Sequence, residues 1–206
     1  MIAIIDYGMG NINSIYKAMK KIGAEVTLTN DKKVIRDSKG IIIPGVGAFK
    51  KAMENLKSMG LDTIIKEEIE KGKPMLGICL GMQLVFDSSE EMGYSEGLGL
   101  IPGKVTKFQI SKKIPHIGWN SVRIKQNHPI FKGIDDGEYF YFVHSFHGNC
   151  DEKYILGDCN YEVDFPAIVG RDNIVASQFH PEKSGEVGLK LLKNFKEMVG
   201  WFYFRR

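Results

Sequence analysis

The apolar run Pro74-Met75-Leu76 leads straight into Gly77-Ile78-Cys79-Leu80-Gly81-Met82-Gln83, and few folds accommodate such a junction. The pattern reads as a buried strand, a sharp turn carrying one thiol, and the start of a helix marked by Leu80, Met82, Leu84 and Val85. Glycines flanking the cysteine allow a backbone too tight for larger residues. A G-x-C-x-G turn of this kind sets its thiol at the top of a parallel sheet. A helix opening behind the sulfur would present free N–H groups and a positive dipole end, which favour a thiolate. Taken alone, Cys79 reads as a structural thiol between two packed elements.

A second segment changes that reading. Ser177-Gln178-Phe179-His180-Pro181-Glu182-Lys183-Ser184 follows the strand-like run Asn173-Ile174-Val175-Ala176 and precedes a helix over 185–199. His180 thus falls at a strand end, where site residues collect in α/β folds. Pro181 restrains the backbone so that Glu182 can be held against the imidazole. Cys79, His180 and Glu182 supply the three parts of an activated thiol nucleophile: attacker, base, and orienter of the base.

The rest of the chain suits such a site. The first half alternates strand-like and helical segments: strand over 2–6, helix over 11–22, strands over 25–28 and 40–44, helices over 48–57 and 61–71, then strand 75–78. Alternation of this kind implies a largely parallel sheet with helices on both faces. After Gly97 the segments 104–109, 121–125, 138–143, 154–159 and 167–169 are short and strand-like, and read as an antiparallel extension of the same sheet. The fold class expected is therefore α/β, an open mixed, largely parallel sheet flanked by helices, with residues 1–206 forming one domain. The aromatic tail Trp201-Phe202-Tyr203-Phe204-Arg205-Arg206 is expected to dock on its own core.

Lys plus Arg exceed Asp plus Glu by 28 to 25, which gives no electrostatic case for nucleic acid or an acidic membrane as partner. The opening Met1-Ile2-Ala3-Ile4-Ile5-Asp6 reads as a first strand rather than a signal peptide. Cys79, Cys150 and Cys159 form no CxxC-type pair, so a reduced, cytoplasmic setting is expected.

Three other segments invite a site. Tyr7-Gly8-Met9-Gly10-Asn11 begins like a dinucleotide fingerprint, but Asn13 stands where G-x-G-x-x-G requires glycine, so it reads as a loop at the carboxyl edge of the sheet. Pro44-Gly45-Val46-Gly47-Ala48-Phe49 joins a strand to a helix. Its glycines can turn backbone N–H groups toward a ligand, as an oxyanion hole needs, or simply make a tight turn. His144, His147 and Cys150 recur every third residue, but the run follows a β-like segment and contains Gly148, so no metal site is expected. His128 reads as a surface turn residue.

Together these motifs resemble the class I (triad-type) glutamine amidotransferases, a flavodoxin-like α/β family, over almost the whole chain. Within that family the blocks Asp6–Asn11, Pro44–Gly47, Pro115-His116-Ile117-Gly118-Trp119-Asn120 and Tyr141–Ser145 are similar to glutaminase subunits of imidazole glycerol phosphate synthases. The resemblance implies Cys79 as nucleophile, His180 as base and then acid, and Glu182 as its orienter. It implies an oxyanion hole from the N–H groups of Leu80 and the Gly45-Val46-Gly47 strip, and glutamine contacts from Gln83, Ser145 and Phe146, where relatives often carry Tyr at the last position. No cofactor or metal is implied. Ammonia freed in water would become ammonium, so a partner is implied too, in the family a (β/α)8-barrel cyclase forming a heterodimer with this subunit. Asn11, Ser14, Trp119 and Lys183 would face that partner, with Tyr141 at the ammonia exit. The alternative acceptor is that of paralogous subunits serving nucleotide-sugar amidination.

Overall fold

Four apolar runs, Ile2–Ile5, Gly40–Ile43, Met75–Ile78 and Ile174–Ser177, contain too few polar residues to leave either face in water. In the computed structural model, which describes residues 1–204 and the side chains up to Trp201, all four lie fully buried in one sheet. The elements in chain order are β1 (Ile2–Ile5), α1 (Ile12–Lys21), β2 (Val26–Thr29), α2 (Lys32–Asp37), β3 (Gly40–Ile43), α3 (Phe49–Met59), α4 (Leu61–Glu70), β4 (Met75–Ile78) and α5 (Leu80–Gln83). They continue with β5 (Ser88–Ser89), β6 (Ser95–Glu96), β7 (Gly103–Lys107), β8 (His116–Ser121), β9 (Arg123–Ile124), β10 (Tyr139–His144) and β11 (Phe146–Cys150). Strands β12 (Ile155–Tyr161), β13 (Val163–Arg171) and β14 (Ile174–Ser177) precede the last helix, α6 (Gly185–Phe204).

The main sheet has eight strands in the order β2-β1-β3-β4-β14-β13-β12-β9. Pairing is parallel from β2 to β14 and antiparallel from β14 to β9. Alternate residues of each central strand feed opposite cores. Ile2, Ile4, Ile42, Leu76 and Val175 pack with Ile15 and Met19 of α1 and Leu191, Leu192 and Phe195 of α6. Ala3, Ile5, Ile41, Ile43 and Ala176 pack with Phe49 and Leu56 of α3 and Leu61 and Ile65 of α4. Because β1, β3, β4 and β14 run parallel, their carboxyl ends share one edge. That edge gathers the loop after β1, the Pro44–Gly47 strip, Cys79 and the segment leading to His180.

The antiparallel half departs from the sequence expectation. Strands β9, β12 and β13 do extend the main sheet, but β8 and β10 form a separate pair and β5, β6, β7 and β11 a separate four-stranded sheet. The cause is visible in β10, where Phe140, Phe142 and His144 face inward while Tyr139 stays exposed and Tyr141 and Val143 are half-buried. A strand with one wet face does not suit the interior of a sheet covered on both sides. The expected strand over 121–125 is likewise split, its first residue closing β8 and its centre forming β9. At the C-terminus, Trp201 is 68% exposed and does not dock on the core; the side chains after it lie outside the described residues.

The turn between β4 and α5 depends on bare α-carbons. A methyl at Gly81 would stand 1.9 Å from the Ile43 carbonyl oxygen, and one at Gly77 would stand 2.6 Å from the Gly81 oxygen. Gly81→Ala is therefore expected to destabilise the fold by about 1–3 kcal/mol, the range for overpacking. Gly200→Ala, in α6 with open space around the new methyl, is expected to stabilise by about 0.5–1 kcal/mol. Urea unfolding of the two variants checks both signs.

Candidate active site

Cys79 leaves β4 with φ 53° and ψ −107°, a conformation that residues with a side chain rarely adopt. Strain of this kind costs about 1–3 kcal/mol and persists only where the surroundings impose it. Here the Cys79 N–H donates to the Ser177 carbonyl at 2.7 Å, tying the residue to β14. Its own carbonyl accepts from Met82 and Gln83 N–H groups, closing α5 behind it. That helix is only four residues long, so the positive dipole end expected behind the sulfur comes from a single turn.

His180 follows β14 by three residues and is 2% exposed. Its N–H donates to the Tyr141 carbonyl at 2.9 Å, and its own carbonyl accepts from the Ser184 hydroxyl at 2.6 Å. The same hydroxyl accepts the Tyr141 N–H at 3.0 Å, so Ser184 locks the histidine turn to β10. On the ring, Nδ1 lies 2.8 Å from Glu182 Oε1, with both side chains almost fully buried. Nε2 and Glu182 Oε2 have no hydrogen-bond partner among the described residues. Burial alone would lower the His180 pKa, but the Cys79 sulfur and the Glu182 carboxylate outweigh it and lift the value to about 10. Among the groups that raise it the Cys79 sulfur comes first, so sulfur and imidazole interact directly.

A cleft of about 340 Å³ opens over Cys79, at the small end of the range for ligand pockets. It brings together Val46, Gly47, Leu80, Gln83, Ser145 and Phe146, all singled out from sequence. Gln83 Nε2 reaches the Phe146 carbonyl at 3.0 Å and Gln178 Oε1 at 3.1 Å, and Gln178 Nε2 lies 3.8 Å from Cys79 Sγ. Gly45 stands just behind. Its α-carbon is packed so closely that a methyl there would sit 2.4 Å from the Tyr7 hydroxyl, which donates to the Pro44 carbonyl at 2.6 Å. The Gly45 carbonyl accepts the Leu80 N–H at 3.3 Å, so that expected oxyanion donor is engaged within the protein.

Glu91 is a cleft residue that sequence reasoning missed. Its Oε2 accepts the Phe49 N–H at 2.7 Å, capping α3, whose own N-cap position is Ala48 and supplies no side-chain bond. Only the absence of a capping side chain before Phe49 signals such a contact, and it does not say which residue makes it. Of the proposed partner-facing residues, Trp119 and Tyr141 are cross-strand neighbours with rings 6.2 Å apart, and Lys183 Nζ lies 5.9 Å over the Tyr141 ring. Asn11 and Ser14 lie at the start of α1, a helix that packs beside the Pro181–Lys183 turn. His144 and His147 fall on two different strands with Cys150 at the end of the second, so no helical face collects them. His128 caps a short 3-10 turn, its Nδ1 accepting the Ile130 N–H at 3.2 Å.

The chain matches the family model described as "Glutamine amidotransferase class-I" over residues 3–198. Among curated proteins, "Imidazole glycerol phosphate synthase subunit HisH" of Bacillus cereus is 51% identical over 199 residues, covering 97% of this chain and 95% of the relative. The protein of the same name from Caldanaerobacter subterraneus subsp. tengcongensis is 51% identical over 200 residues, covering 97% and 98%. A crystal structure of a glutamine amidotransferase superposes with a TM-score of 0.78 at 18% identity, covering 97% of this chain and 100% of the other, a likeness of fold alone.

The His180–Glu182 pair fixes the sign of one pH dependence. A histidine pKa raised on folding contributes stability that is complete below the unfolded value of about 6.5 and is lost as pH climbs through the folded one. Glu182→Gln removes one of the groups that raise it. The stability advantage of the natural protein over this variant is therefore expected to be largest near pH 6 and to shrink toward pH 10 in urea unfolding. An advantage independent of pH would contradict the imidazolium.

Proposed function

The chain belongs to the class I glutamine amidotransferase family, and on that premise we propose that it is the glutaminase subunit of imidazole glycerol phosphate synthase. Near-full-length identity of about half to subunits of that synthase supports the imidazole glycerol phosphate pathway over nucleotide-sugar amidination. The observation that carries the chemistry is the buried Cys79, His180 and Glu182 group beside a cleft of amino-acid size. Residues 1–206 act as one glutamine amidotransferase domain, in the cytoplasm.

In this reading, glutamine enters the cleft with its side-chain amide over Cys79. The proton already rests on the His180 ring beside the sulfur, so the sulfur adds directly to the amide carbon. The tetrahedral intermediate carries a negative oxygen, for which the N–H groups of Leu80 and the Val46–Gly47 strip are the donors. His180 then gives the proton to the departing nitrogen, ammonia leaves, and a thioester remains on Cys79. The ring, now neutral, deprotonates the water that hydrolyses the thioester to glutamate, which frees the sulfur and leaves the proton back on His180. Glu182 holds Nδ1–H throughout and stabilises the imidazolium. The Glu91 carboxylate offers the charge complement to the substrate's α-ammonium.

The bond from Leu80 N–H to the Gly45 carbonyl must open before that N–H can serve the oxyanion. One missing donor costs about 2.7–4 kcal/mol of barrier, or ~10²–10³ in rate. The free subunit is accordingly slow, and its partner raises the rate by withdrawing the carbonyl. The partner is the cyclase subunit, a (β/α)8 barrel. Its docking face is the outer side of β8 and β10, where Ile117, Trp119 and Tyr139 are each more than half exposed. Lys183, Asn11 and Ser14 extend that face, and Tyr141 stands at the ammonia exit.

Cys79→Ala is expected to abolish glutamine-dependent synthesis by the assembled enzyme while added ammonium salts still support it. Equal loss with both nitrogen sources would overturn the assignment. Trp119→Asp is expected to weaken binding to the cyclase by about 30-fold or more, as loss of a central aromatic anchor does, measured by titration calorimetry. Unchanged affinity would move the docking face elsewhere.

A further inference from the structure

A line of hydrogen bonds runs from the rim of β8 to the wall of the cleft, and a carbonyl fixes its polarity at each end. Asn120 Nδ2 donates to the Asn160 carbonyl at 2.9 Å, and His144 Nδ1 lies 2.8 Å from the Phe146 carbonyl. A carbonyl only accepts, so His144 carries its proton on Nδ1. The neutral ring's Nε2, 3.0 Å from His116 Nδ1, is then the acceptor, which puts the His116 proton on Nδ1 as well. His116 Nε2 is left bare and takes the second Asn120 hydrogen at 3.3 Å. The Asn120 oxygen is occupied by the Ser121 N–H at 2.9 Å, so the amide cannot be reversed. Every group in the line has one role.

Both rings are kept neutral by their surroundings. His116 is stacked between Phe142 and Tyr161, with centroids at 5.0 and 4.1 Å, and Phe165 stands edge-on to it and tilted against His144. Burial, as the largest cause, pushes the pKa of His116 down to about 4 and that of His144 down to about 3. At the far end the line enters the cleft. The Phe146 carbonyl also accepts from Gln83 Nε2, whose other hydrogen goes to Gln178. With both amide hydrogens committed, Gln83, which lines the cleft, keeps its Oε1 as an acceptor for the hydrogens of an amide or ammonium group.

Resting on the glutaminase reading above, we propose that His116 is a positioning residue for the glutamine pocket. Its Nδ1–H holds His144 in the tautomer that anchors the Phe146 carbonyl, and that carbonyl fixes the Gln83 amide with its oxygen toward the substrate. His116 touches no reacting atom; it acts through His144.

Nitrogen-15 NMR of the full chain at pH 7 reads the tautomers directly. Both rings are expected neutral and protonated on Nδ1; a proton on Nε2 of either, or an imidazolium, overturns the proposal whether or not any variant folds. Glutaminase kinetics in the complex with the cyclase supply the second test. His116→Phe keeps the stacked ring and removes the donor, so KM for glutamine is expected to rise about tenfold with kcat changed by less than about threefold. His116→Asn sets an amide N–H near the former Nδ1–H and is expected to bring KM back to within about threefold of the natural protein. An unchanged KM in His116→Phe, or the same rise in both variants, also overturns it. A natural protein that turned over no glutamine would defeat the glutaminase reading instead, leaving the tautomer result to stand or fall by itself.

Discussion

Gly81 meets the Ile43 carbonyl at a separation that leaves no room for a single methyl group, and from this contact the placement of the reactive thiol follows. It lets the short helix after β4 begin directly against β3, which forces the intervening residue into its positive-φ conformation. The strain is tolerated because the two neighbouring parallel strands are rigid, buried on both faces, and hydrogen-bonded to the turn. The Ser177 carbonyl holds the Cys79 N–H on one side, and the Gly45 carbonyl holds the Leu80 N–H on the other. The sheet thereby supplies both the position of the sulfur and the backbone groups around it.

Around that thiol, similar burial has opposite consequences for different imidazoles. His180 is buried with a carboxylate on one nitrogen and a sulfur near the other, and the charged ring is favoured. His116 and His144 are buried with aromatic rings, a carbonyl and each other, and the neutral ring is favoured. Desolvation is common to all three, so the partner on each nitrogen decides the outcome. A chain with five histidines thus builds two kinds of site component from one residue type: a mobile proton beside the sulfur, and fixed protons in the wall opposite.

Much of this was legible in the sequence for a physical reason. Strands buried on both faces must be almost wholly apolar, and Ile2–Ile5, Gly40–Ile43 and Met75–Ile78 have no other reading once helices with one apolar stripe separate them. The G-x-C-x-G turn and the His-Pro-Glu turn carry their geometry locally, in bare α-carbons and a fixed proline φ. What was not legible depends on contacts between distant segments. Strand β8 contains Gly118 and Asn120, poor strand formers that nevertheless pair with β10, and Asn120 also bonds to His116. The role of Glu91 depends on a helix N-terminus 42 residues earlier. Likewise, the division of the antiparallel strands into separate sheets turned on one wet face in β10, which a count of β-branched residues does not register.

Tyr141 belongs to two neighbourhoods at once. Its ring stands on the outer surface with Trp119, while its carbonyl accepts from the His180 N–H and its own N–H donates to the Ser184 hydroxyl that braces the same histidine. A single residue therefore separates what the surface presents from what the imidazole experiences. Redesigning that surface has no purely cosmetic option: any change that tilts this stretch of backbone also re-aims the ring that handles the proton.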